Sequence, residues 1–138
     1  MPPLTRWFVK TSFLYLAVAL ILGLLLTLQP ILNLGFVGSL FPIYIHLLVF
    51  GWLSQLIFGV VFWMFPIFSK EKPRRSESLG WWTYVLINTG LILRTIAEPI
   101  NSIQPNPVSG WTLVVSAIIQ FLAGLAFVVN TWGRVKEK

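Results

Sequence analysis

Four stretches of the chain are apolar for long enough to cross a bilayer, which takes ~20 residues of helix each. They cover about residues 8–32, 41–68, 81–100 and 111–132. Each is far longer than a buried strand, and none alternates with period two, so α-helix is the expectation. Lipid offers no water to unpaired backbone groups and admits only helices or closed barrels. Composition agrees: 57% of the residues are hydrophobic and 10% charged, against about 25% charged in a typical soluble domain. The length permits one domain. The fold expected is all-α, a membrane-spanning antiparallel four-helix bundle forming a single domain over residues 1–138. The first stretch is too long for a signal-peptide core and lacks a small-residue cleavage site, so it is expected to be a true span.

Charge predicts the orientation. Arg6 and Lys10 precede the first span. Lys70, Lys72, Arg74 and Arg75 lie between the second and third, and Arg134, Lys136 and Lys138 follow the fourth. The segment "QPILNLGFVGSLF" has no charge, and "EPINSIQPNPVSG" has only Glu98. Excess Lys and Arg marks the cytoplasmic side. The N- and C-termini and the middle link are then cytoplasmic, in a prokaryotic plasma (inner) membrane. The net charge of +6 is read as a topology signal and as lipid-headgroup contact. No basic groove with interleaved aromatics points to nucleic acid. Trp7, Trp81, Trp82, Trp111 and Trp132 fall at span ends, as an interfacial belt requires. The absence of cysteine excludes disulfides, thiolate metal sites and covalent c-type haem attachment.

Rows of small and polar residues predict the packed faces. Gly51, Gln55 and Gly59 are spaced by four in the second span, and Ser116, Gln120 and Gly124 in the fourth. Such rows let backbones approach and supply interhelical hydrogen bonds. "EPINSIQPNPVSG", with three prolines, is expected to form an ordered cap over the outer face.

The one histidine, His46, lies in the second span. At about 100° per residue it falls opposite the Gly51–Gln55–Gly59 row, with Val49, Phe50, Leu53, Ile57, Val60 and Met64. If that row packs within the chain, His46 points outward. An imidazole facing lipid would lose water without gaining a partner. It is expected to meet a protein group, a metal, a cofactor, or a loop carbonyl or headgroup near the outer helix end. The third span carries Arg94, an ionisable group within the membrane and so a candidate functional residue. Thr83, Ile87, Gly90, Arg94 and Glu98 share one face, and Glu98 is placed to pair with Arg94. Two readings stay open: an Arg94–Glu98 pair with no ligand, or an anion-binding arginine beside an imidazole. Haem would match both groups, with iron for the imidazole and propionates for the guanidinium.

The stretch "IHLLVFGWLSQLIFGVVFWMFP" has His46, Gly51–Trp52, Gly59 and Pro66 in an apolar run. It resembles the second transmembrane helix of the haem-copper oxidase and nitric oxide reductase catalytic-subunit superfamily. It is most similar to short, single-module proteins described as cytochrome c oxidase subunit I-like. The resemblance continues through "EKPRRSESLGWWTYVLINTGLILRTIAEP". It implies that His46 is an axial ligand of a low-spin haem near the outer membrane face. Many relatives have a further histidine two residues earlier, where this chain has Tyr44. The remaining haem and copper ligands of that superfamily sit on later helices. A chain with one histidine cannot build a haem-copper centre.

Ligand counting gives the sharpest expectation. A six-coordinate haem b needs two axial ligands, and methionine is a common second one. Met64 lies ~27 Å from His46 along the helix, and Met1 is terminal. A homodimer would solve the count, since two-fold symmetry brings His46 of both copies to one axis. Val49, Phe50 and Leu53 beside His46, and Gly90 beside Arg94, are the expected lining residues. The function expected is electron transfer with a respiratory-chain redox partner, or gas or redox sensing. The alternative is a cofactor-free accessory or assembly subunit of a respiratory oxidase or reductase. A small transporter would need an acid at mid-depth in the membrane, which the spans lack. No serine–histidine–acid set, phosphate loop or zinc spacing supports an autonomous enzyme.

Overall fold

The computed structural model describes residues 1–135, and all regular structure among them is helical. Lys136 and Lys138 lie outside the described residues. Helix α1 spans Pro3–Leu32. Proline suits its first position, where the N–H would find no partner in any case. It ends at Asn33, whose φ of 54° is left-handed and whose N–H donates to the Gln29 carbonyl. The next rod changes pitch three times. A 3₁₀ turn over Gly35–Leu40 leads into α2 (Phe41–His46), a π-helical stretch (Leu47–Ser54) and α3 (Gln55–Met64).

Helix α4 spans Glu77–Ile103 and starts on a capping serine, with the Ser76 hydroxyl accepting from the Leu79 N–H at 3.1 Å. Helix α5 spans Pro107–Trp132 and uses Asn106 in the same way, accepting from the Ser109 N–H at 2.9 Å. The connection between α4 and α5 therefore differs from the expected cap. Helix α4 runs on through Pro99 to Ile103, and α5 begins at Pro107. Pro99 lies within α4 and leaves the Thr95 carbonyl without its usual i+4 donor, whereas Pro107 occupies a first position that favours proline.

Three helical segments are long and apolar enough to cross a membrane: Pro3–Leu32, Gly35–Met64 and Pro107–Trp132. Helix α4 falls short of that hydropathy because it carries Asn88, Arg94 and Glu98.

Contacts give the arrangement. Helices α4 and α5 pack antiparallel along their lengths. The Ser116 hydroxyl donates to the Gly90 carbonyl at 2.7 Å, and a Cβ at Gly90 would lie 2.6 Å from Gln120 Cγ. Helix α1 packs antiparallel on the second rod, with Gly59 against Phe8 and Gly51 against Tyr15. The Gly51–Gln55–Gly59 row is thus a packed face, as its spacing predicts. Ser116 and Gln120 are also buried, but Gly124 meets nothing within 4 Å. Midway along α4, Asn88 uses both ends of its amide. Its Oδ1 accepts from Tyr15 at 2.9 Å and Gln55 at 3.2 Å, and its Nδ2 donates to Gln55 Oε1 at 3.2 Å and the Tyr84 carbonyl at 2.8 Å.

One end of the molecule collects the chain start, residues 65–76 and the residues after α5. Arg134 is 1% exposed there. Its guanidinium donates to the carbonyls of Phe62, Phe65 and Pro66 at 3.1, 2.7 and 3.0 Å, closing the end of α3. Burial, and then the nearby Arg74 cation, lower its pKa below the ordinary arginine value. Arg75 donates to the Val129 carbonyl, and Asn130 exchanges two hydrogen bonds with the Ser76 backbone.

Candidate functional site

The site is built at the opposite end, where α2 runs into the π-helical stretch and faces the last turns of α4. Here the structure departs from the ideal helical wheel. His46 does not point away from the chain; it reaches Arg94 and Glu98 of its own α4. The reason lies in Leu47–Ser54, whose π-type turns hold one residue more than an α-turn. One extra residue rotates everything N-terminal to it by about 100° relative to Gln55 and Gly59. A side chain expected about 180° from the packed row then stands only about 80° from it, within reach of α4.

Hydrogen-bond chemistry fixes the state of the ring. His46 Nδ1 lies 2.8 Å from the Pro42 carbonyl, which can only accept. Nδ1 therefore carries the proton. Nε2 lies 3.2 Å from Arg94 Nη1, which can only donate, so Nε2 presents its lone pair. Both contacts are met by the neutral Nδ1–H tautomer. Arg94 Nη1 also donates to Glu98 Oε1 at 3.0 Å, and that oxygen lies 3.3 Å from His46 Nδ1. Phe50 stacks on the ring, with centroids 6.1 Å apart and planes 19° from parallel.

The cluster is part-buried and incompletely satisfied. The side chains of His46, Arg94 and Glu98 are 25%, 18% and 9% exposed. Arg94 Nε and Glu98 Oε2 are buried with no hydrogen-bond partner. A native interior rarely leaves such atoms orphaned. One is a donor and one an acceptor, so a ligand could satisfy either.

The other expected residues separate. Phe50 is at the ring, while Val49 and Leu53 are 43% and 46% exposed on the outer side of the rod. Gly90 is closed off by Ser116 and Gln120 of α5. Sequence reasoning anticipated the Arg94–Glu98 pair but missed the Pro42 carbonyl and the contact of Glu98 with His46. Glu98 stands in the turn after Arg94 and at a depth similar to His46, which was the available signal. Among the described residues no group of three or more His, Cys, Asp or Glu could hold a metal ion. Any metal at His46 would thus need a cofactor or a second chain for its other ligands. Comparison with family models, curated proteins and solved structures gives no match.

Proposed function

We propose that the protein is a membrane b-type cytochrome that binds haem b through His46, shared across a homodimer, for electron transfer or redox and gas sensing. The observation that carries this reading is the fixed tautomer of His46. A metal-ligating imidazole donates one ring N–H to a carbonyl or carboxylate and offers the other nitrogen's lone pair. His46 donates Nδ1–H to the Pro42 carbonyl, and its Nε2, now accepting from Arg94, is the nitrogen left for a metal.

The residues fit the group under one condition. Arg94 Nη1 holds the Nε2 lone pair, so ligation requires Arg94 to release it. The unpartnered Arg94 Nε suits a carboxylate such as a propionate. Bound haem supplies a reversible one-electron couple at its iron. The Pro42 carbonyl would orient the imidazole and strengthen it as a ligand, and Arg94 would add positive charge that tunes the couple. A second ligand would come from His46 of a second copy, because Met64 lies at the far end of α3.

The same reading sets the helices as an antiparallel four-helix bundle across a prokaryotic inner membrane. Every described cation except Arg94 lies towards the end that holds the chain start, which supports a cytoplasmic position for that end and both termini. Helix α4 is included because Arg94 and Glu98 pair and Asn88 is fully hydrogen-bonded.

The test is an absorption spectrum of the detergent-purified protein, oxidised and then reduced. A sharp reduced α band that disappears in His46→Ala is expected, with one haem per two chains. A band unchanged by the substitution removes His46 from the role. One five-coordinate haem per chain rules out sharing.

A second reading is favoured by the Arg94 contact itself. With Nε2 already hydrogen-bonded, the cluster also suits a cofactor-free accessory or assembly subunit that presents it to a partner. Protein that stays colourless after haem addition would select this reading.

A further inference from the structure

The basic end of α1 offers a different kind of site. Arg6 and Lys10 lie one turn apart, both exposed, with Trp7 between them at 55% exposure. With Pro3 they line a concavity of about 240 Å³.

Among the described arginines, Arg6 alone has no side-chain partner. Arg74 pairs with Glu77, Arg75 binds the Val129 carbonyl, Arg94 pairs with Glu98, and Arg134 binds three carbonyls. No described carboxylate forms an ion pair with Arg6 or Lys10. A neighbouring concavity of about 260 Å³ has Lys72, Arg74 and Arg75, but also Glu71 and Glu77, which would repel an anion. Charge therefore selects the α1 site.

The surface beyond it selects the rest of the ligand. Leu14, Ile21 and Leu24 lie within about 40° of Lys10 on the helix and are 63%, 59% and 60% exposed. Cations at the head, an interfacial tryptophan and an apolar stripe below match one amphiphile.

We propose that Arg6 and Lys10 hold the phosphate of an anionic glycerophospholipid, with its acyl chains along the Leu14–Ile21–Leu24 stripe. Arg6 supplies forked donors to the phosphate oxygens and Lys10 a point charge. Trp7 packs at the glycerol level, where its ring faces both apolar and polar surroundings. The site is independent of His46.

Intact-protein mass spectrometry of the full chain, titrated with phosphatidylglycerol or phosphatidylcholine of identical acyl chains, tests this. Phosphatidylglycerol should bind more tightly. Arg6→Gln with Lys10→Gln should weaken it about thirty-fold, from about fivefold per cation, and leave phosphatidylcholine unchanged. Lys70→Gln with Lys72→Gln serves as the control and should change neither. Inorganic phosphate in large excess should not displace the lipid. Equal binding of the two lipids overturns the proposal, as does full affinity in the Arg6/Lys10 variant or an equal loss in the control. Displacement by phosphate would make it a free-anion site instead. Both positions are exposed, and helical circular dichroism checks that the variants fold.

Discussion

Arg134 gives the most direct test of how the basic end is held. Arg134→Met keeps much of the apolar stem and removes the guanidinium. Three hydrogen bonds from a charged group disappear, at 3.1, 2.7 and 3.0 Å. Such bonds contribute about 1.5–3 kcal/mol each. The full sum is an upper bound, because Pro66 is exposed and water can replace its bond, whereas Phe62 is 3% exposed and its carbonyl is left without a partner. Contact of the guanidinium with the Phe62 ring, 5.9 Å from the centroid, adds about 0.5–1 kcal/mol. The expected net loss is about 3 kcal/mol. Arg134→Lys keeps the charge but not the fork, and should lose about 2 kcal/mol. The measurement is unfolding in mixed micelles with increasing dodecyl sulfate, followed by helical circular dichroism. Backbone amide exchange should rise first at the end of α3 and leave the turns around His46 unchanged. A loss below about 0.5 kcal/mol for Arg134→Met would refute the idea that this cap joins α3 to the residues after α5.

Three further outcomes are expected in the same assay. Gly90→Ala places a Cβ 2.6 Å from Gln120 Cγ and should lose about 1–2 kcal/mol, while Gly124→Ala meets nothing within 4 Å and should gain up to about 1 kcal/mol. Asn88→Leu strands the Gln55 amide and should lose about 2–3 kcal/mol; adding Gln55→Leu should recover at least half, and no recovery would mean the pair is not the source. Glu98→Leu leaves Arg94 without its counter-ion and should lose about 3 kcal/mol, which Arg94→Met in the same chain should largely restore.

The outline of the fold was legible because it depends on apolar length and end signals. The Gly51–Gln55–Gly59 row marked a packed face, whereas the helix starts at Ser76 and Asn106 lie several residues before the apolar runs that marked the spans. Arg94 and Glu98 were legible as a pair because both lie on one helix, four residues apart. What involved two elements was not. The direction of His46 depends on the pitch of Leu47–Ser54, and an ideal wheel assumes one pitch throughout. Asn88 and Arg134 look in sequence like a stray amide and a flanking charge. Their importance comes from Tyr15, Gln55 and the end of α3, which are close only in the fold. The 98–110 segment, expected to form a cap, is mostly helix, because Pro99 is absorbed within α4 and Pro107 begins α5.

The wide turns of Leu47–Ser54 act as a phase shift between the two halves of one rod. Both halves thereby face the same neighbours: Gly59 and Tyr44 pack on Phe8 and Gly23 of α1, while Gln55 reaches Asn88 and His46 reaches Arg94 and Glu98 of α4. Removing one residue from that stretch would rotate the halves against each other and swing the imidazole away from Arg94 and Glu98. Hydropathy profiles would barely register the change, yet the contact between rod and α4 at the charged cluster would be gone.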